Sequence, residues 1–432
     1  MPRKVLIAGG GLAGLASAAA LGQAGYEIDL LESRAFLGGR ATSYPIQDEV
    51  IDNCQHVLLR CCVNLLDFYA RLGVAPDAVR FHRTFYFLEP GGRTSVLERG
   101  HLPAPLHFTG AFAGLDFLSL REKAAIGRAF LAILLEHGSR EDLDRITMLD
   151  WLREKGQPER AITRFWNQVL VSAINEDLDK MAARHGLQVF WLGFLASRDS
   201  YEMGIPAVPL GELYGEAAWR ALPNVRIHTR MPVERMETGG VEAGGRRWTA
   251  DAYICALPFE RVNAVAPAAG LDFSAWSHSP ITGIHLWFDR AVTDLPHGTL
   301  LDRTVQWFFN KDGGRYLQLV VSASRNLTAL PREEVIALAL RELAEFLPAV
   351  KSARLEKAHV VKEVRATFSA APRLERPGPA SERVPGLFFA GDWIDTGWPA
   401  TMEGAVRGGY LAAEAVSAWL GSPGRFLLPD IA

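Results

Sequence analysis

The stretch VLIAGGGLAG, residues 5–14, decides the fold. Its first four residues are apolar, and after the glycines Leu15, Ala19 and Ala20 recur at helical spacing. A strand, a glycine turn and a helix are typical of the start of a nucleotide-binding βαβ unit. Residues 5–26 carry no charge and follow two basic residues, but the glycines favour this unit over a signal peptide or a membrane span.

Each glycine of this turn has a separate physical role. Gly9 permits the tight turn, Gly11 lets the backbone approach a pyrophosphate, and Gly14 allows close packing between helix and strand. The helix that opens at Leu12 and Ala13 directs its positive end at the phosphates. The stretch therefore predicts a site for a phosphate-linked nucleotide.

Three further segments fit the same site. Glu32 follows the second predicted strand, 18 residues after Gly14, where an acid accepts ribose hydroxyls. Gly39 is the second residue of a glycine pair, and Arg40, which follows it, is suited to bind a pyrophosphate. A plain turn with a solvated arginine is the alternative. Near the other end, LFFAGDW at 387–393 predicts a strand that breaks at a Gly-Asp pair, and TMEGAV opens a helix.

Together these motifs resemble the FAD-dependent amine oxidase and phytoene desaturase superfamily. DNCQHVLL at 52–59 and GWPATMEGAV at 397–406 are most similar to hydroxysqualene dehydroxylases, the squalene-associated FAD-dependent enzymes of bacterial hopanoid synthesis. Cys54 stands where we expect that subfamily to have glycine, so the backbone conformation there is an open question. The resemblance implies a Rossmann-like FAD-binding domain interleaved with an α+β substrate domain built on an antiparallel sheet.

The resemblance also implies roles for further residues. Val233 would meet the adenine through its backbone, and Gly391 and Asp392 would contact the ribityl or diphosphate region. The amides of Thr401 and Met402 would face the flavin N1 and C2 carbonyl, where a helix N-terminus stabilises negative charge. Since no cysteine lies beyond residue 255, we expect the FAD to be noncovalent.

The two domains are expected to alternate along the chain. We assign residues 1–80, 205–270 and 385–432 to the FAD-binding domain, and residues 81–204 and 271–384 to the substrate-binding domain. Alternating patterns predict a meander over 225–258 and strands at 283–289, 304–310 and 315–322, and a proline precedes an amphipathic helix at 331–347.

Composition limits the partners. The 46 basic and 49 acidic residues leave a net charge of -3, without the basic excess that nucleic acid requires. The four cysteines form no CxxC pair, which favours a reducing, cytoplasmic compartment and argues against a metal site. No second dinucleotide fingerprint is present, so the electron donor is unknown.

Residues 100–115 contain no Lys, Arg, Asp or Glu and lead into a predicted helix at 121–137. Residues 100–137 could form a lip at the membrane surface through which an isoprenoid enters, at the inner face of the membrane, or they could be ordinary core. Aromatic residues that could line a hydrocarbon tunnel, or simply pack the core, are Trp166, Trp191, Phe194, Trp287, Trp307 and Phe309.

The expected reaction is reductive dehydroxylation of hydroxysqualene to squalene, with hydride passing from reduced flavin N5 to an allylic cation. His56 is our candidate for the acid or the orienter of the alcohol, with Gln55, Glu176 and Tyr201 as lesser candidates; a structural histidine is the alternative. A carotenoid-type desaturase or an amine oxidase on the same fold would instead oxidise its substrate, and a non-catalytic isoprenoid carrier is the binding alternative.

Overall fold

The computed structural model describes residues 3–46 and 48–431. The strands are β1 Lys4–Ala8, β2 Glu27–Leu31, β3 Ser43–Ile46, β4 Glu49–Asp52, β5 Leu58–Leu59, β6 Val79–His82, β7 Phe85–Leu88, β8 Thr94–Leu97, β9 Met203–Pro206, β10 Val225–His228, β11 Val233–Glu237, β12 Gly240–Ala243, β13 Arg246–Trp248, β14 Ala252–Cys255, β15 His278–Phe288, β16 His297–Leu300, β17 Trp307–Asp312, β18 Tyr316–Ser322, β19 Leu355–Phe368 and β20 Leu387–Phe389.

The helices lie between these strands along the chain or follow the last of them. They are α1 Leu12–Gln23, α2 Val63–Arg71, α3 Thr109–Ala113, α4 Leu120–Glu136, α5 Met148–Glu154, α6 Glu159–Ala161, α7 Asn167–Ile174, α8 Ala183–Phe190, α9 Leu210–Leu213, α10 Phe259–Val265, α11 Arg332–Phe346 and α12 Met402–Trp419. Helices α3 to α8 follow one another between β8 and β9. Two π-helical turns, Ile162–Trp166 and Trp191–Leu195, adjoin α7 and α8.

A five-stranded parallel sheet, in the order β10-β2-β1-β14-β20, forms the first layer. Its strands come from residues 4–31, 225–255 and 387–389, so distant parts of the chain build one unit. Helices α1 and α12 pack closely against each other, because a Cβ on Gly409 would overlap the carbonyl oxygen of Ala13. Ser17 on α1 also donates a hydrogen bond to the Gly409 carbonyl at 2.8 Å.

The second large layer is a seven-stranded sheet in the order β19-β15-β18-β17-β16-β7-β8. Its pairings are antiparallel except between β16 and β7, which run parallel, so this sheet is mixed. One face packs against α11, and the opposite face carries Ile281, Trp307 and Val320 toward a cavity. The overall architecture is α/β with two interleaved units.

The meander prediction was wrong at its start. β10 joins the edge of the parallel sheet beside β2, because its buried Val225 completes the core over α1. Only β11, β12 and β13 form an antiparallel ribbon. The helix predicted at 331–347 is α11, and the helix predicted at 121–137 is α4, which Ser119 and Glu122 open with a reciprocal capping box.

Candidate functional site

The glycine turn between β1 and α1 forms a cradle suited to a diphosphate. Gly9 has a φ of +111°, and a Cβ there would lie 2.7 Å from the carbonyl oxygen of Ala256. A Cβ on Gly14 would overlap the Gly9 carbonyl oxygen, so both positions require glycine. No side chain caps the N-terminus of α1 at Gly11, and the first turn contains no acid. The amides of this turn therefore remain available to an anion.

Glu32 follows β2, and the chain that leads into β11 passes beside it. The Glu32 carboxylate accepts hydrogen bonds from the Gly10 and Arg34 amides, each at 2.7 Å. The carbonyl of Glu32 accepts from the amide of Met231 at 2.8 Å, which brings the start of β11 to the same edge. Glu32 and the chain that leads to Val233 thus meet at one end of the cradle, where we predict the adenosine.

Arg40 and Asp392 meet across the chain as an ion pair. The guanidinium donates to both carboxylate oxygens of Asp392, at 2.9 and 2.8 Å, and to the carbonyl of Ala366 at 2.8 Å. We predicted a separate contact of each residue with the cofactor, and the structure joins them into one unit. Gly39 lies beside Gly11, since a Cβ on Gly39 would be 3.1 Å from the Gly11 Cα.

The N-terminus of α12 approaches the same region from the other side. Thr401 caps this helix by accepting a hydrogen bond from the Gly404 amide at 3.0 Å, and Met402 begins it. A Cβ on Gly408 would overlap the Gly391 carbonyl, so the loop after β20 passes against the helix. We therefore predict that the positive end of α12 faces the part of the flavin where negative charge develops.

Glu403 turns away from its own helix. Its carboxylate accepts hydrogen bonds from the amides of Asn64 and Leu65 at 3.2 and 2.7 Å, and from the Asn64 side chain at 2.9 Å, so it caps α2. Burial raises the pKa of Glu403 to about 6, against these hydrogen bonds and nearby Arg407, which lower it.

A cavity of about 680 Å³ runs from Thr401 and Met402 toward the outer surface near α4. Its size is in the usual range for a small-molecule site. Its walls are aromatic and aliphatic side chains, among them Phe85, Phe112, Phe130, Phe165, Phe190, Phe194, Trp307 and Phe309. The π-helical turns contribute Phe165 and Phe194.

The cavity opens among exposed leucines. Leu106, Leu120 and Leu131 line it and are 57%, 84% and 61% exposed, and Leu102 and Leu135 lie exposed in the same stretch. The interpretation of residues 100–137 as ordinary core therefore fails for these side chains, although Ile126 and Ile133 on the other face of α4 are fully buried. In the part of the chain that the structure describes, no helix is both long and apolar enough to cross a bilayer.

The segment after β4 contains Cys54, Gln55 and His56, of which Gln55 lines the cavity and the other two do not. Cys54 has a φ of +60°, the left-handed conformation that glycine favours, and its buried thiol has a pKa raised to about 12. Gln55 lines the cavity and donates to the His56 carbonyl at 2.9 Å. His56 is the residue that follows Gln55. Burial lowers the pKa of its imidazole, and the charge of Asp52 opposes that shift.

Glu176 and Tyr201 do not line the cavity. The fully buried Glu176 carboxylate is paired with Arg325 at 2.8 Å, and it also accepts from the Asp177 amide at 2.9 Å. The Tyr201 hydroxyl accepts from the Arg99 amide at 3.1 Å, behind the cavity wall. Both side chains therefore occupy structural positions in this arrangement. Of the six aromatic residues expected at a tunnel, Trp166, Trp191 and Trp287 also lie outside the lining.

These features agree with the comparisons to known proteins. The family model for flavin containing amine oxidoreductases matches residues 12–417. The chain belongs to this family. It is 25% identical to 15-cis-phytoene desaturase of Synechococcus elongatus over 96% of both chains, and 26% identical to a probable zeta-carotene desaturase of the same organism, covering 96% of this chain and 98% of the relative. It also shares the fold of cyclohexylamine oxidase from Brevibacterium oxydans, with a TM-score of 0.70, 17% identity and coverage of 97% and 100%.

As a flavin containing amine oxidoreductase, the chain uses FAD, and its residues fit that cofactor. The uncapped α1 suits the diphosphate, Glu32 the ribose hydroxyls, and the α12 N-terminus the pyrimidine edge of the flavin. The fold class and cofactor expected from the sequence are thus confirmed. The individual contacts of these residues with FAD stay predictions.

Sequence reasoning missed Lys311, whose ammonium donates to the Gln55 side chain at 3.1 Å. Burial lowers the pKa of Lys311, and Asp52, 3.9 Å away, opposes the shift. One sequence signal was available, because Lys311 continues the alternating positions of Trp307 and Phe309, both of which were expected at a tunnel. In the structure a β-bulge at Lys311 interrupts this alternation. What could not be seen was the approach of residue 55 to this strand.

Proposed function

We propose that this FAD-dependent oxidoreductase removes the hydroxyl group of hydroxysqualene to give squalene. The observation that carries the proposal is the apolar cavity, which extends from the predicted flavin edge at Thr401 and Met402 to the exposed leucines of α4. A long hydrocarbon gains about 0.8 kcal/mol for each methylene it buries, so such a cavity favours an isoprenoid over a small polar substrate.

The side chains of the cavity suit a reaction that develops positive charge on carbon. FAD, when bound and reduced, supplies the hydride. The faces of Phe85, Trp307 and Phe309 can stabilise an allylic cation, and the apolar wall excludes water that would otherwise capture it. Hydroxide leaves poorly, so the carbon–oxygen bond also needs a proton donor. Gln55 at the cavity wall orients the alcohol. His56, the next residue along the chain, does not line the cavity and is our choice for supplying the proton.

A carotenoid-type desaturase is the second candidate. The curated relatives named above are phytoene and zeta-carotene desaturases, and an elongated apolar cavity suits their polyene class equally well. An amine oxidase is less favoured, because the only carboxylate of the cavity lining among the described residues is Glu403. That carboxylate is engaged in capping α2 rather than free to bind an ammonium group.

We also propose that the leucines at the cavity mouth contact a membrane, at the inner face, from which the substrate is withdrawn. Arg121 and Arg128 are exposed on α4 between these leucines, and Lys123 lies at the cavity rim. The acids of the helix are engaged elsewhere, Glu122 with Arg160 and Glu136 with Lys155. An apolar stripe with unbalanced basic residues fits the interface of an anionic lipid bilayer.

The direction of electron flow tests the reaction. The protein is reduced photochemically without oxygen and mixed with hydroxysqualene, and separately the oxidised protein is mixed with phytoene or an amine. We expect squalene and oxidised flavin from the first mixture and no bleaching of the flavin in the others. Bleaching by phytoene, without turnover of hydroxysqualene, would establish the desaturase instead. The physiological electron donor does not enter this experiment.

A further inference from the structure

The orientation of the Gln55 amide is fixed from both sides. Lys311 can only donate, so its partner at 3.1 Å is the carbonyl oxygen Oε1 of Gln55. The backbone carbonyl of His56 can only accept, so its partner at 2.9 Å is the amide nitrogen Nε2. These two contacts exclude the flipped amide and leave one Nε2 hydrogen free of both partners.

Lys311 is itself anchored by an ion pair with Asp52. It lies on β17, two residues beyond Phe309 and at a β-bulge, and its side chain is 19% exposed. Asp52 lies 3.9 Å from its ammonium, while the other oxygen of that carboxylate accepts hydrogen bonds from Ser43 at 2.6 Å and from the Leu210 amide at 3.0 Å. The ion pair thus anchors Lys311 to the segment that carries Gln55.

Gln55 lines an apolar cavity, which is the surface open to its remaining Nε2 hydrogen. Its neighbours in the lining include Val57, Leu58 and Phe309, which offer no competing acceptor in their side chains. A donor in such surroundings favours a ligand that brings an oxygen atom, because an amide hydrogen without a partner in an apolar site carries a desolvation cost.

We propose that Gln55, positioned by Lys311, forms a subsite that binds the hydroxyl oxygen of an isoprenoid alcohol through Nε2. Gln55 is the contact residue, and Lys311 acts as a positioning residue that has no contact with substrate. This inference rests on the proposed function for the class of substrate. It deepens that function by naming the residues that distinguish an alcohol from the corresponding hydrocarbon.

The test compares binding of hydroxysqualene and squalene to the oxidised, FAD-loaded protein, which does not turn them over. The dissociation constants are measured from the perturbation of the flavin spectrum at a fixed detergent concentration. One hydrogen bond contributes about 1–1.5 kcal/mol, so we expect the wild type to prefer the alcohol by about tenfold. Lys311→Met should raise the dissociation constant of the alcohol by about tenfold and leave that of squalene within twofold.

Three further variants test whether Gln55 and Lys311 are responsible for the preference for the alcohol. Gln55→Met removes the donor itself and should abolish the same preference, even if Lys311→Met fails to fold. Lys311→Arg keeps a donor toward Gln55 and should restore part of the preference. Lys357→Met removes the same charge from β19 of the same sheet, beyond the cavity lining, and should behave as the wild type.

The outcomes separate this inference from the proposed function. A wild type that binds both ligands equally, or a Gln55→Met variant that keeps the preference, overturns the subsite and leaves an apolar substrate in place. Preference kept in Lys311→Met but lost in Gln55→Met overturns the positioning role of Lys311. A wild type that binds neither ligand overturns the proposed function together with the subsite.

Discussion

Replacement of Leu120, Leu131 and Leu135 by serine should release the protein from lipid vesicles. Their exposed fractions of 84%, 61% and 77% amount to roughly two fully exposed leucines. Full burial of one leucine contributes about 1.5–3 kcal/mol, so the three side chains contribute at least about 3 kcal/mol when inserted. We therefore expect the triple variant to bind vesicles at least about 100-fold more weakly than the wild type.

The assay is cosedimentation with vesicles of phosphatidylcholine, with and without phosphatidylglycerol. Each of the three basic residues at the mouth contributes about 1 kcal/mol near an anionic surface, so the wild type should prefer the anionic vesicles, less so at high salt. Leu428→Ser changes a leucine that is 39% exposed and far along the chain from α4, and this control should retain binding. Bound FAD should remain unchanged in every variant, which shows that the fold survives.

Undiminished vesicle binding by the triple variant would refute this reasoning. Such a result would mean that another surface holds the lipid, or that the leucines belong to a contact between protein molecules. Size-exclusion chromatography separates these cases, because a protein contact through α4 would give an oligomer that the triple variant dissociates. Loss of vesicle binding without a change in oligomeric state supports the membrane contact.

Three further predictions concern the cofactor site and its supports. Gly14→Val places a side chain against the Gly9 carbonyl and should yield protein with almost no FAD, measured as flavin absorbance per chain. Arg40→Met leaves the Asp392 carboxylate without its bidentate partner and should weaken FAD binding by at least about tenfold, seen as faster flavin loss during dialysis. The pKa of Glu403 is raised by burial from 4.5 to about 6, so its charge destabilises the folded state above that range. Relative to Glu403→Gln, the free energy of unfolding of the wild type should fall by about 2 kcal/mol as the pH rises from 4.5 through 6, and a parallel pH dependence of both proteins in urea unfolding contradicts this prediction.

The nucleotide-binding half of the molecule was predictable because its signals are local. The glycine turn, Glu32 and the α12 start each combine a motif with the strand or helix that must flank it. The same reasoning located α4 from apolar spacing, and α11 from a proline and apolar spacing. Each of these features depends on neighbours within a few residues along the chain.

The roles that the sequence did not predict all depend on contacts between residues far apart along the chain. Glu176 looked available for chemistry because the sequence does not reveal Arg325, which neutralises it from 149 residues away. Glu403 lies in the first turn of α12, yet its carboxylate caps α2, which no local pattern indicates. The role of Lys311 depends on Gln55, 256 residues earlier. Pairings of this kind arise from tertiary packing, so local sequence patterns do not predict them.

The cavity explains why reduction and oxidation are both plausible on this scaffold. The features that suit FAD, such as the open α1 N-terminus and the α12 N-terminus, are equally useful in either direction of hydride transfer. An apolar wall likewise suits a polyene and an alcohol alike. The direction can therefore be argued only from a group that one substrate possesses and the other lacks. A hydroxyl oxygen is such a group, and Gln55 held by Lys311 is the place in the cavity wall where we argue that an oxygen makes a difference.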